Sequence, residues 1–147
     1  METKLIFDTF FLKVWSTTKS TVNGDVSFMT FQWFGSMFKS NLEDVRMAHS
    51  KAIHIAQQKN VSTYIADLRE SKDALPEDVQ KWWVGFLPKL RARGVTDIIS
   101  VHNPKAKAID KLVNKEGWEK QTSAFDIRLH GTDDLGKAIN KATGLDK

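Results

Sequence analysis

Apolar and polar positions change period several times along the chain, and the changes divide it into short strands first, then strands alternating with helices. A brief alternation around Leu5 to Phe7 leads into Phe10-Phe11-Leu12-Lys13-Val14-Trp15, residues that suit a pleated, half-buried surface. Asn23-Gly24 then separates two β-like runs, and both residues tolerate the positive φ of a two-residue type I′ turn. A hairpin closed on that dipeptide pairs Val22 with Asp25, Ser16 with Phe31 and Val14 with Trp33. On the returning strand Val26, Phe28 and Phe34 share one face and Met29, Phe31 and Trp33 the other. A strand apolar on both faces is covered on both sides or uses one face for binding.

The helical segments follow from spacing and caps. Ser40-Asn41-Leu42-Glu43 has the form of a capping box, after which Leu42, Val45, His49, Ala52, Ile53 and Ala56 recur on one face up to Lys59-Asn60. Val61 to Ala66 reads as a central parallel strand that ends at Asp67 in a charged loop. Pro76 suits a first helical turn, and Val79, Trp82, Trp83, Phe86 and Leu90 form the apolar face behind it. Pro88 removes one helical hydrogen bond and crowds the carbonyl of Val84, which predicts a kink or break between Gly85 and Pro88.

Val95 to Val101 is a further buried strand. A third helix carries Ala106, Ile109, Leu112 and Val113 and stops at Glu116-Gly117. Ser123 to Leu129 alternates as an edge strand, and Thr132-Asp133-Asp134 caps a last helix that ends at Gly144. The order β-β-β-α-β-α-β-α-β-α predicts an α/β fold: a mixed, mostly parallel sheet with an N-terminal antiparallel hairpin and four helices, all in one domain over residues 1–147.

Composition narrows the functional classes. A chain of 147 residues, 41% hydrophobic and 27% charged, can bury a core of its own. The absence of cysteine excludes disulfides, thiolate catalysis and cysteine-ligated metal sites, and with no signal peptide or spanning segment it predicts a cytoplasmic chain. The formal charge of +4 arises from 22 basic residues interleaved with 18 acidic ones, so the Lys107, Lys111 and Lys115 stripe reads as a solvated face and no nucleic-acid partner is expected.

Candidate chemistry is sparse. His49 and His54 are five apart and cannot clasp one ion from a helix, while His102 and His130 lack a recognisable carboxylate partner, so neither metal nor cofactor is predicted. Asp67, Arg69, Glu70 and Ser71 cluster after the central strand without an oxyanion hole, phosphate loop or metal-binding spacing around them, which points away from an enzyme. Ser71 is a candidate phosphosite ahead of a helix start. Trp82, Trp83 and Phe86, with Phe31 and Trp33, are candidates for an apolar pocket or a contact surface.

Several of these elements occur in an order that resembles the small bacterial STAS domains of the SpoIIAA-like type, whose outline is shared by CRAL-TRIO lipid-binding domains. The matching features are Trp33-Phe34-Gly35 before a capped helix, Tyr64-Ile65-Ala66-Asp67-Leu68-Arg69, Pro76-Glu77-Asp78 with Trp82 and Phe86-Leu87-Pro88-Lys89, and Phe125-Asp126-Ile127-Arg128 before an acidic turn. Ser71 lies where the anti-sigma-factor antagonists of that family carry their phosphorylated residue, without the motif. The resemblance implies a regulatory module that recognises an unidentified protein partner, or a second copy in a homodimer, through the loop after 61–67 and the helix 76–90. The alternative it leaves open is a carrier of a small lipid-like ligand in a pocket near Trp82 and Trp83.

Overall fold

The computed structural model describes residues 1–35, 41–72, 76–102, 120 and 122–144. Six strands lie side by side in chain order: β1 (Glu2–Asp8), β2 (Leu12–Thr21), β3 (Gly24–Gly35), β4 (Thr63–Ser71), β5 (Asp97–Val101) and β6 (Arg128–Thr132). The first three form an antiparallel meander, and β3 to β6 run parallel. Helix α1 (Leu42–Lys59) joins β3 to β4, α2 (Glu77–Ala92) joins β4 to β5, and α3 (Leu135–Ala142) follows β6. The chain is therefore an α/β protein with a mixed sheet, as its hydrophobic pattern predicts.

The two faces of β3 explain the layers. Met29, Phe31 and Trp33 point inward with Tyr64 and Ile98 against the apolar sides of α1 and α2, where Val45, Ala52, Phe86 and Leu90 are buried. Alanines 48, 52 and 56 on α1 are fully buried and let that helix approach the sheet closely. Phe28 points the other way and joins Ile65, Ile99 and Val101 beneath Ala138 and Ala142 of α3. Each such large side chain removed from water stabilises the fold by roughly 1.5–3 kcal/mol.

The hairpin forms two residues away from the predicted register. Thr21 pairs with Gly24, Ser20 with Asp25, Val14 with Phe31 and Leu12 with Trp33. Val22 and Asn23 keep negative φ and only Gly24 is positive, at 111°, so the turn is not type I′. The Thr21 hydroxyl decides the matter locally: Oγ1 donates to the Gly24 carbonyl at 2.7 Å and accepts the Asn23 amide at 3.2 Å. An even shift leaves every side chain on its predicted face.

Other boundaries move for identifiable reasons. Asn41, not Ser40, caps α1: its side chain accepts the Glu43 amide at 2.9 Å, and Ser40 lies outside the described residues. Pro76 occupies the cap position of α2 rather than its first turn. Helix α2 continues through Pro88, which sits on the exposed side, while Phe86, Leu87 and Leu90 anchor the segment from the buried side, so no break occurs there. Residues 122–124 are helical and not strand: the Thr122 carbonyl accepts amides from Phe125 and Ile127, Asp126 takes a left-handed φ of 59°, and β6 begins only at Arg128. The expected third helix and its lysine stripe lie outside the described residues. Among those described, no helix is long and apolar enough to cross a membrane.

The two-sided burial predicts that Phe28→Ala lowers the unfolding free energy by about 3–5 kcal/mol. Val22→Ala, at a fully exposed turn residue, should change it by less than about 0.5 kcal/mol. Urea denaturation of the two variants measures both.

Candidate functional site

Helix α3 covers the outward face of β4 to β6 and reaches Phe28, so among the described residues the outward side of the meander is only partly covered. Lys13, Trp15, Gln32 and Phe34 line this shelf, each half-buried. Trp15 Nε1 donates to Gln32 Oε1 at 3.2 Å, and Lys13 Nζ lies 5.7 Å over the Phe34 ring and 4.0 Å from Asp8. Parallel pairing puts Gln32 level with Asp67, so the shelf runs on to the carboxyl end of β4. In α/β sheets ligands and partners bind most often at that end of the strands.

The turn between β1 and β2 closes one side of the shelf. The Thr9 amide donates to the Leu12 carbonyl at 2.9 Å, and the Leu12 amide donates back to Thr9 Oγ1 at 3.0 Å. Phe11 is pinned inside, 2% exposed and stacked on Trp33 at 6.3 Å, and its carbonyl accepts the Phe34 amide at 2.9 Å. Phe10 is consequently held outward at 77% exposure. Below it opens a groove of about 580 Å³ lined by Asp8, Thr9, Phe10, Lys13 and Phe34.

On the other side β4 is longer than its apolar run suggests. Asp67 to Ser71 continue as strand because β3 extends to Gly35 and supplies the partner, with Phe34 opposite Glu70 and Gly35 opposite Ser71. The pairing advances three residues on β4 for two on β3, a bulge that redirects side chains at the rim. Within it, buried Asp67 is gripped by Arg69: Nε reaches Oδ1 and Nη2 reaches Oδ2, each at 2.9 Å, and the Arg69 amide also donates to Oδ1 at 3.2 Å. That hydrogen bonding raises the Arg69 pKa further above its ordinary value. Glu70 is exposed beside it. Ser71 is buried rather than in an open loop, and its hydroxyl donates to the Leu68 carbonyl at 2.9 Å, so phosphorylation would require the strand end to open first.

The aromatic candidates lie elsewhere. Trp33 and Phe86 are core residues of the α1/α2 layer, and Trp82 and Trp83 are half-buried on α2 against it. Trp82 stacks on Phe86 at 4.9 Å, and both contact His49, which stacks on Phe31 at 4.4 Å. The sheet thus separates this set from Asp67, and the two groups of predicted residues do not form one site.

A polar cluster missed by sequence reasoning sits at the other end of the parallel strands. Asp97 accepts from His130 Nε2 at 2.8 Å, from Arg128 Nε and Nη2 at 3.0 Å each, and from Thr96 Oγ1 at 2.7 Å. Partial burial pushes the Asp97 carboxyl up, but these bonds outweigh it and hold the group below the ordinary carboxylate range. His130 therefore has the carboxylate partner it lacks in the sequence, and Arg128 and His130 line an open groove of about 420 Å³. The only signal was Arg128-x-His130 on one face of a strand; the β5/β6 register that brings Asp97 alongside is set by tertiary structure. Among the described residues no group of three metal-ligating side chains converges.

Comparison with known protein families, with characterised proteins and with solved structures finds no match to this chain.

Two outcomes follow from the clamps. Arg69→Met leaves the buried Asp67 carboxylate without its cation and should cost about 1–3 kcal/mol by chemical denaturation, short of a fully buried pair because Arg69 is partly exposed. For Asp97, the folded pKa lies below the unfolded one, so its contribution is present above about pH 4 and is lost as pH falls through the folded value. Asp97→Asn should therefore be less stable than the parent at pH 7, with the gap closing as the pH is lowered below about 4.

Proposed function

We propose that the chain is a non-enzymatic interaction module of the STAS/SpoIIAA-like type, which recognises a protein partner on the shelf formed by the β1–β2 turn, the end of β3 and the Asp67–Glu70 bulge. The observation that carries this reading is Phe10, a large apolar side chain held 77% exposed on a turn whose own hydrogen bonds fix it. Interfaces favour an aromatic anchor at their centre with charged residues at the rim. Phe10 has Lys13 and Asp8 beside it and the Arg69 and Glu70 bulge further along the same edge. Rigid presentation lowers the ordering cost of association.

The earlier assignment of the α2 face gives way to this one because α2 packs on the opposite layer. A carrier of lipid-like ligands near Trp82 and Trp83 has less support, since the rings of Phe31, His49, Trp82 and Phe86 already occupy that space in mutual contact. The resemblance of the Tyr64–Arg69 and Phe125–Arg128 elements to STAS domains supports a regulatory role, and a cytoplasmic setting fits the cysteine-free composition.

A photo-crosslinking amino acid at position 10, expressed in the native host, tests the reading. One dominant protein adduct is expected, reduced at least tenfold by Lys13→Glu with Arg69→Glu; an adduct with a second copy would make the partner this chain itself. Labelling no stronger than from position 22, which is fully exposed at the far end of the hairpin, would overturn it.

A further inference from the structure

His49 is the one histidine among the described residues that is fully enclosed, at 2% exposure. Its ring joins three elements: it belongs to α1, stacks on Phe31 of β3 at 4.4 Å, and touches Trp82 and Phe86 of α2 at 5.2 and 5.3 Å. Nδ1 is buried without a hydrogen-bond partner, and the Tyr64 hydroxyl, on the ring that stacks against Phe31, is in the same condition. An imidazole that bridges two helices and a sheet without hydrogen-bond support at Nδ1 is poorly suited to core packing alone, where a phenyl or isobutyl group would fill the space without a polar atom.

The surroundings tolerate only the neutral ring. From β2 the inward residues are Leu12, Val14 and Ser16, and from β4 they include Tyr64 and Leu68. Tyr64 is the only ionisable group among them, and burial pushes its pKa up, so it supplies no anion. The charged residues of α2 nearby, Glu77, Asp78, Lys81 and Lys89, are exposed, with Lys89 Nζ 5.6 Å from the centroid of the Phe86 ring. On α1, Glu43, Arg46 and Lys51 are exposed and Asp44 is half-buried; on β1, Glu2 and Lys4 are exposed. Stacking on the rings recovers part of the cost of a cation, but among the described residues no carboxylate pairs with His49.

The two helices differ in how well they are fixed. Helix α1 runs 18 residues, is capped by the Asn41 side chain at its start and by left-handed Asn60 at its end, and buries six residues. Helix α2 has no side-chain bond at its Pro76 cap, carries Pro88 within it, and its first half holds to the core through Val79, half-buried Trp83 and the Trp82–His49–Phe86 contact. If one element yields when the contact is lost, it is the first half of α2.

We propose that His49 is an acid-sensitive latch: when it takes a proton, the amino-terminal half of α2 is released from the sheet and uncovers an apolar aromatic surface formed by Phe31, Tyr64 and Phe86. Burial pushes the His49 pKa down to about 3 in the closed form, against about 6.5 when exposed. The closed form therefore binds fewer protons than the open one between those values, so closure is most favoured above about pH 6.5 and weakens as pH falls. Each unit below about pH 6 should shift the equilibrium about tenfold towards release.

Hydrogen exchange resolved by peptide between pH 7.5 and 4.5, corrected for intrinsic exchange, tests this alongside binding of an apolar fluorescent dye. Protection over residues 79–87 should fall about tenfold per pH unit below pH 6, dye emission should rise in parallel, and β3 and β4 should stay protected. His49→Phe and His49→Met should both keep α2 protected across the range, so that one variant suffices if the other fails to fold. Simultaneous loss of protection in α2 and the sheet, loss in α1 in place of α2, or an unchanged pH response in either folded variant would overturn the proposal.

Discussion

Everything in this fold depends on the need to cover β3, β4 and β5 on both faces. Phe28 and Phe31, three residues apart on β3, point to opposite layers and are both enclosed, as Tyr64 and Ile65 are on β4. A strand with that pattern cannot lie at the margin, because either face left open would expose several large apolar side chains. Helices must therefore stand on both sides. Among the described residues the crossover helices α1 and α2 supply one layer and the short α3 the other.

The two layers are unequal, and that inequality produces the molecule's distinctive surface. An eight-residue helix spans only about 12 Å, enough for the strands nearest to it but not for a six-stranded sheet. The meander is left to manage its outward face with residues that are each partly wet: the Trp15–Gln32 bond and the Lys13–Phe34 contact. Where the meander meets the carboxyl end of β4, the Phe10 turn and the Asp67–Arg69 clamp fix the rim from two sides. On the opposite layer, longer helices enclose the aromatic residues, and His49 sits where they converge.

Much of this was legible from period and punctuation. The two-faced character of β3, the buried side of α1 and the strand, helix and strand succession after residue 60 all follow from spacing that physical chemistry interprets directly. What spacing could not show was register and length. Thr21 captured the hairpin turn through its hydroxyl, β3 drew β4 four residues beyond Asp67 by offering unpaired backbone, and Asp126 adopted a conformation usually left to glycine. Each is a tertiary or side-chain choice among locally similar alternatives. The site suffered most from this. Asp67 and Trp82 are close in sequence yet fall on opposite faces, whereas Phe10 and Arg69 are far apart in sequence yet share one rim, and Asp97 meets His130 only through the β5/β6 register.

The unequal cover of the sheet is the claim on which the functional reading rests, and hydroxyl-radical footprinting addresses it most directly, because adjacent rings in the sequence must react differently. Phe10 and Phe11 differ from 77% to 2% in exposure, so Phe10 should oxidise at least tenfold faster than Phe11, Phe28 and Trp33, with Trp15 and Phe34 intermediate. Equal protection of Phe10, Trp15 and Phe34 with the core rings would mean that the shelf is covered, and would contradict the account.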